Sequence, residues 1–464
     1  MINHNVLIKF AYELQEHQKR VSEKLQNQDA LLVYHGLGSG KTLTALAAGK
    51  AFNKPLTVVG PASLKFNFAK EKAKHKINEP VTAYSYNKPP ESAKGRMLVF
   101  DEAHRMGRMD SQRSHLPDQL KGDKTLFLTG TPLRNRPSEL IPIMRGLNMK
   151  APRDEKLFNQ RYITTKKINP NIFARVFRGI KPGEVQVAKN INEIKEGFKG
   201  KVDYYKPPTK DYPKVEEKEI DVEMSPKQEA AYKMALKGHP SFAYKIGHGI
   251  APSKSESKEM NAFLTATRQI SNYPGEYNLS ADIKDAPKIT RAYSEIANKL
   301  KSDKNYKGVT YSNYLGHGIK PLGSLLEKNK VPYAEFTGKT PIGQRHQIIK
   351  NYNTGKIKQL LISGAGGEGL DLRGTKLMQV MEPHWNNPQL EQVKGRVVRY
   401  KSHTDLPEEE RKVEVQNFVA QPRKHGFIFK HRDKGTDEYL QMLSNQKSAL
   451  NNQFLKALQE VGSK

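Results

Sequence analysis

Eight residues, HGLGSGKT at His35–Thr42, carry the sharpest chemistry in the chain. They follow an apolar run, Leu31-Leu32-Val33-Tyr34, and lead into Leu43–Phe52, an alanine- and leucine-rich stretch that reads as a helix. Glycines permit a tight loop whose backbone N–H groups point at phosphate oxygens, and the start of a helix adds partial positive charge. Lys41 can then reach the β- and γ-phosphates of a nucleotide, and Thr42 can hold Mg2+. The strict pattern has glycine at position 35, where this chain has His35; Gly36, Gly38 and Gly40 remain. A flexible loop with a solvated lysine is the plainer reading, and the strand–loop–helix context argues against it.

Two carboxylates lie sixty residues further on. Met97-Leu98-Val99-Phe100 reads as a strand and ends in Asp101-Glu102-Ala103-His104. Ligands sit outside the carboxyl ends of strands in parallel α/β sheets. Asp101 is placed to hold Mg2+, directly or through water, and Glu102 to orient and deprotonate an attacking water. A third run, Leu126-Phe127-Leu128, enters Thr129-Gly130-Thr131-Pro132-Leu133. Hydroxyls at such a strand end can sense loss of the γ-phosphate through hydrogen bonds.

These residues need sheets to position them. Short apolar runs alternate with helix-like stretches in two regions, the pattern of parallel sheets with helical crossovers. The first region has runs at Ala30–Tyr34, Leu56–Gly60, Val81–Tyr86, Met97–Phe100 and Thr125–Leu128. The second has them at Gly308–Ser312, Val331–Phe336, Gln359–Ser363, Leu377–Met381 and Val413–Val419, with a helix candidate at Ile289–Leu300. Between them, residues 150–284 read as mainly helical, with candidates at Ser225–Leu236 and Ser255–Ile270; Ser225 is a credible N-cap, with Pro226 at N1 and Gln228 at N3. The expected α/β organisation is lobe 1 over 1–149, a helical elaboration and crossing over 150–284, lobe 2 over 285–435, and a C-terminal helix over 436–464 docked on lobe 2.

Composition narrows the partners. The 464 residues have room for two to four domains. A formal charge of +30, from 78 basic and 48 acidic side chains, attracts polyanions, nucleic acid before anionic membrane. The chain has no apolar run long enough for a membrane span and no convincing basic amphipathic helix, so no membrane partner is expected. The first twenty residues lack a secretory apolar core and read as part of the fold. Without cysteine there is neither a disulfide nor cysteine-ligated zinc, and the fourteen histidines show no H-x-x-x-H pair.

In order, these motifs resemble helicase superfamily 2 and, within it, the Snf2-like group. Leu14-Gln15-Glu16-His17-Gln18 resembles the element whose glutamine, here Gln18, reads adenine. Gly60–Leu64 with Asn67 and Phe68 is similar to a segment that contacts nucleic acid. LTGTPLRN at Leu128–Asn135 lies very close to that group's LTGTPLQN. Met224–Gln228 with Tyr232, and Arg268–Pro274, resemble elements that precede the second lobe. Thr310–Tyr314, the loop Ser363–Leu372, Glu382–Pro388 and Gln392–Arg399 (QVKGRVVR) match second-lobe elements, Glu382 standing where the group has aspartate. Tyr400-Lys401 replaces the remodellers' isoleucine-glycine, and no histone-reading module is evident. Small viral or phage ATPases, including the poxviral nucleoside triphosphatase involved in transcription, are similar in outline.

That resemblance implies two RecA-like lobes with ATP held between them. ATP contacts are expected from Gln18, Gly36, Gly38, Ser39, Gly40, Lys41, Thr42, Gly369, Asp371 and Gln392, and Mg2+ contacts from Thr42 and Asp101. Arg396 and Arg399 follow a candidate helix, Pro388–Val398; three residues apart, they would share one helix face. A guanidinium keeps its charge and offers fixed, bidentate donors to phosphate. Arg399 is expected to be the finger and Arg396 a second phosphate contact; in other nucleotide hydrolases such a finger is worth about 10³–10⁵ in rate. Nucleic acid, duplex DNA favoured, would be held through backbone phosphates near Lys65, Lys70 and Gly366-Gly367, with Trp385 a packing residue before a stacking one. The expected activity is an ATP-driven duplex translocase that remodels protein–DNA complexes or assists transcription, with transcription or replication proteins as expected protein partners and a monomer as the expected state. Strand separation on DNA or RNA, and an assembly factor switched by ATP, are the alternatives.

Overall fold

Apolar runs that are buried on both faces become central strands of parallel sheets, because continuous hydrophobicity leaves neither face for water. The computed structural model describes residues 14–36, 38–61, 64–108, 111–169, 182–253, 256–364, 370–383, 388–424 and 432–463. They fall into two compact units. One comprises residues 1–164, 186–208 and 447–464, the other 165–185 and 209–446.

In the first unit, helix α1 (Glu16–Gln26) precedes β1 (Ala30–His35), which is buried at every position, and α2 (Lys41–Ala51) follows the glycine loop. β2 (Leu56–Gly60), β3 (Val81–Ser85), β4 (Ala93–Asp101) and β5 (Gly122–Thr129) come next. β6 (Ile163–Ile168) and β7 (Gly183–Ala188), whose residues are divided between the two units, form a separate two-stranded sheet. β8 (Val202–Tyr205) then completes a six-stranded parallel sheet in the order β3-β2-β4-β5-β1-β8.

The second unit repeats the architecture. Its strands are β9 (Lys214–Glu223), β10 (Gly308–Tyr311), β11 (Tyr333–Phe336), β12 (Gln359–Ile362), β13 (Leu377–Val380) and β14 (Lys412–Gln421). They pair in parallel in the order β11-β12-β10-β13-β14-β9.

The middle segment holds the two expected helices, at Pro226–Lys237 and Ser257–Asn272, and between them a further one, Pro240–His248, that the sequence reading did not single out; Ser225 caps the first by accepting the Gln228 N–H. Gln228 does not reciprocate at the cap; its amide donates to the carbonyls of Ile270 and Ser271, which ties this helix to Ser257–Asn272. The same segment also lends each sheet an edge strand, β8 to the first and β9 to the second, and neither is evident in the sequence. β9 pairs on one side only and is exposed at most positions, so its charged residues carry no strand-like apolar signal.

The C-terminal segment departs from expectation. Thr436–Gly462 is one helix, but only its first part belongs to the second unit, where Tyr439, Leu440 and Leu443 pack with Phe242, Met260 and Phe263. Leu450, Phe454, Ala457 and Leu458 instead join the first unit's core beside Phe158, Tyr162 and Phe198. The reason lies in the polar stretch Ser444–Ser448, which separates two apolar patches. Among the described residues no helix is long and apolar enough to cross a membrane.

Candidate active site

Three neighbouring strands bring the phosphate-directed residues together. β5 lies between β1 and β4, with Thr129 opposite Tyr34 and Leu128 opposite Asp101, so the three loops leave their carboxyl ends nearly level. Strands lie about 4.8 Å apart, so the ends of β1 and β4, two strands apart, are roughly 10 Å apart.

The loop after β1 needs its glycines. Gly38 and Gly40 have φ of 77° and 75°, the left-handed region that side chains disfavour. Gly40 stands immediately before α2, so the first N–H groups of that helix face the loop. Lys41 Nζ donates to the carbonyls of His35 and Gly36 at 3.1 and 3.3 Å. Burial lowers the pKa of Lys41, while the nearby charges of Glu102 and Asp101 oppose the shift. Ser39 Oγ is buried without a hydrogen-bond partner. An orphaned hydroxyl within a glycine loop at a helix start fits a phosphate oxygen.

Asp101 ends β4. Its carbonyl accepts the Tyr86 hydroxyl at 2.8 Å, and its Oδ1 accepts the Glu102 N–H at 2.9 Å. Burial, then repulsion from Glu102, raises its pKa to about 7, against the pull of Lys41. A divalent cation would relieve both burdens, so the chemistry of Asp101 fits a Mg2+ ligand; Thr42, the other residue expected to hold it, stands in the first turn of α2. Glu102 has a left-handed backbone, φ 53°, and Oε2 3.4 Å from His104 Nδ1. That same nitrogen lies 3.0 Å from Thr129 Oγ1, which accepts the Thr131 N–H at 3.1 Å. Burial, helped by Arg134, Arg105 and Lys41, holds His104 far below its ordinary pKa, so the ring is neutral. A chain of contacts thus runs from Glu102 through His104 to the Thr129–Thr131 turn.

Gln18 also lies at the loop. Its Oε1 accepts the Gln15 N–H at 3.0 Å and its Nε2 donates to the Ser39 carbonyl at 3.4 Å. His17 Nε2 lies 2.8 Å from the same carbonyl. His35, the departure from glycine, turns its side chain into the protein, and Nε2 meets Asp203 Oδ1 at 2.7 Å. Asp203, Tyr205, His17 and Arg20 escape sequence reasoning as parts of this site. The oddity of His35 is the one local signal, and its partner is 168 residues away.

In the second unit, Arg396 lies in the helix Pro388–Val397, but that helix stops before Arg399. The shared helix face expected for the two arginines therefore does not form. Arg399 sits in the following turn, held where Ser402 Oγ donates to its carbonyl at 2.7 Å. Its guanidinium donates to Asp371 Oδ1 at 3.0 Å, joining two of the residues expected at the nucleotide. Gly366, Gly367, Gly369 and Trp385 lie outside the described residues, as do the side chains of Gln392 and Lys65. Lys70 is exposed.

Comparison with known proteins agrees with this fold. Residues 82–276 match the SNF2-related domain and residues 289–401 the helicase conserved C-terminal domain. Protein L538 of Acanthamoeba polyphaga mimivirus, whose name places it among ATP-dependent RNA helicases, is 32% identical over 95% of both chains. A termination factor NPH-I homolog of African swine fever virus (isolate Tick/Malawi/Lil 20-1/1983) is 26% identical over 92% of this chain and 75% of its own. Among solved structures, the helicase domain of Hef from Pyrococcus furiosus superposes with a TM-score of 0.51 at 15% identity, covering 89% of this chain and 96% of that one. That likeness bears on the fold, two RecA-like parallel-sheet lobes.

Proposed function

The chain belongs to the SNF2-related family of helicase-like ATPases, and from that premise we propose that it is an ATP-driven translocase on duplex nucleic acid, DNA above all. Lys41 and the loop N–H groups hold the β- and γ-phosphates, with Gln18 at the adenine end. Thr42 and Asp101 hold Mg2+, which would screen the phosphate charge. Glu102 takes the proton of the attacking water, kept in place by neutral His104. Arg399 stabilises the charge of the transferring phosphoryl group, with Arg396 as a second contact and Asp371 holding Arg399 in the resting protein. The observation that carries this reading is the adjacency of β1, β5 and β4, which sets the glycine loop, Thr129 and Asp101-Glu102 side by side.

A charge of +30 supports a polyanionic track held mainly through phosphates, hence salt-sensitive and weakly sequence-specific binding. Likeness to a viral termination factor supports a role beside transcription. The deciding experiment is ATP turnover with no polymer, duplex DNA, single-stranded DNA and RNA at one salt concentration. The expected result is stimulation by duplex DNA; no turnover with any polymer would sink the reading. A second reading, strand separation on RNA, draws on the name of the mimivirus relative. Blunt, tailed and displaced-strand substrates on a gel distinguish the two, since a translocase displaces without opening a blunt duplex.

A further inference from the structure

Residue 35 is where the glycine loop departs from its usual composition, and its side chain is wholly buried. His35 Nε2 faces Asp203 Oδ1 at 2.7 Å, with neither side chain exposed. The same carboxylate receives Arg20 through Nε at 2.6 Å and Nη2 at 2.9 Å, and Lys24 Nζ stands 3.1 Å away. Arg20 and Lys24 are one turn apart on α1, the helix whose His17 and Gln18 reach the Ser39 carbonyl. β8 closes the other side. The Gly36 N–H donates to the Tyr205 carbonyl at 2.9 Å, and the Tyr205 ring stacks on His17 with centroids 3.5 Å apart. A Cβ on residue 36 would come within 2.7 Å of Pro207. The entry to the loop is thus held from α1 and from β8, and the Asp203 side chain joins His35 to Arg20 and Lys24 of α1.

We infer that Asp203 and His35 are positioning residues for ATP, fixing the point from which the phosphate loop springs. The inference rests on the ATP site proposed above. Burial alone would raise Asp203, but its bonds from His35 and Arg20 and the charge of Lys24 outweigh it, and the carboxylate stays ionised. Burial lowers His35 despite Asp203, so the ring is neutral and its Nε2–H donates. A carboxylate that accepts from a neutral imidazole fixes the ring, as it does for histidines at metal sites. The His35 ring is attached to the residue whose carbonyl receives Lys41, so freeing it releases the loop's first turn. Alanine at 35 would leave Asp203 with its two cations and the loop without its side-chain anchor.

The test measures the Kd of a fluorescent ATP analogue, KM and kcat for ATP, and the melting temperature without ligand. His35→Ala and Asp203→Asn should each raise Kd about ten-fold, and the double variant should also lose about ten-fold rather than a hundred-fold, since one interaction is removed either way. KM should rise more than kcat falls. His35→Gln, whose amide N–H can reach the carboxylate, should recover most of what His35→Ala loses. A folded His35→Ala protein that binds like the parent, or losses that multiply in the double variant, would overturn the inference. If Asp203→Asn does not fold, His35→Ala against His35→Gln decides alone. Lys41→Ala separates the two levels of the argument. If it leaves binding and turnover intact, the ATP site itself is misassigned; if it stops turnover while His35→Ala binds normally, only the positioning role falls.

Discussion

Each sheet has a buried carboxylate near its carboxyl end, and the two are satisfied in opposite ways. Asp203, on β8, accepts from Arg20 and sits beside Lys24 and His35. Glu382, just beyond β13 and equally buried, accepts on one oxygen from the Asn272 amide and the Ser312 hydroxyl, and on the other from the Asn313 N–H at 3.1 Å. Its neighbour Arg268 turns to the Pro383 carbonyl, at 3.2 Å, and over the Tyr314 ring. The first carboxylate is fixed by charge and the second by neutral donors. Each binds a loop after a strand to a helix outside the sheet, so the same task is done with two chemistries. The difference matches their neighbours. The glycine loop must hold its shape against a polyanion, and a cationic frame behind it favours that anion, whereas the second cluster shapes loops through hydrogen-bond geometry.

Variants can sharpen or break this contrast. The largest effects are expected at the groups proposed to act on the phosphates themselves. Lys41→Ala and Glu102→Gln should each cut ATP turnover by about 10⁴-fold, the latter with ATP still bound; turnover by Glu102→Gln near that of the parent would remove Glu102 as the base. In the second unit, Arg399→Ala should cost about 10³-fold in turnover and spare nucleotide binding. Weakened binding with unchanged turnover at saturating ATP would place Arg399 outside the chemistry. Unfolding in urea compares the two carboxylates directly. Asp203→Asn, which strands two cations, should destabilise by about 3 kcal/mol, and Glu382→Gln, which faces neutral donors that can reorient, by about 1–2 kcal/mol. Equal costs would dissolve the distinction between charge and hydrogen bonding.

The smallest predicted effect is one of pH. Asp101 titrates near 7 in the folded protein, above its ordinary 3.8, so its ionisation costs stability. That cost is absent below pH 3.8, grows as pH rises, and is complete above about 7. Asp101→Asn should therefore raise the melting temperature of the nucleotide-free protein by about 2–4 °C at pH 8, with the gain fading toward pH 4. A gain that is independent of pH would mean that charge is not the cause.

Much of the first unit was legible in the chain because its signals are local. A strand, a glycine loop and a helix start are contiguous from Ala30 to Ala51, and each imposes its own backbone geometry. The apolar runs that mark β1, β2, β10, β12 and β13 are buried at every position and so are written in largely hydrophobic letters. Arg399 was harder. Its spacing from Arg396 suits a helix, but the helix ends at Val397, where the Ser402 hydroxyl takes over the backbone. β9 was illegible because an edge strand with charged faces has no apolar pattern to show.

By itself the sequence marked the residues proposed to bind phosphate, hold a cation and move a proton, and determined the rank of strands that carries them, since these depend on residue type, short spacing and burial of local runs. Only tertiary structure decided that His35 is an anchor rather than a blemish in the loop, that β8 props that loop, and that the final helix is shared by two cores. Those outcomes depend on partners more than a hundred residues away, where pairing is settled by which buried charges and apolar patches find one another as the chain collapses. No local pattern encodes that choice.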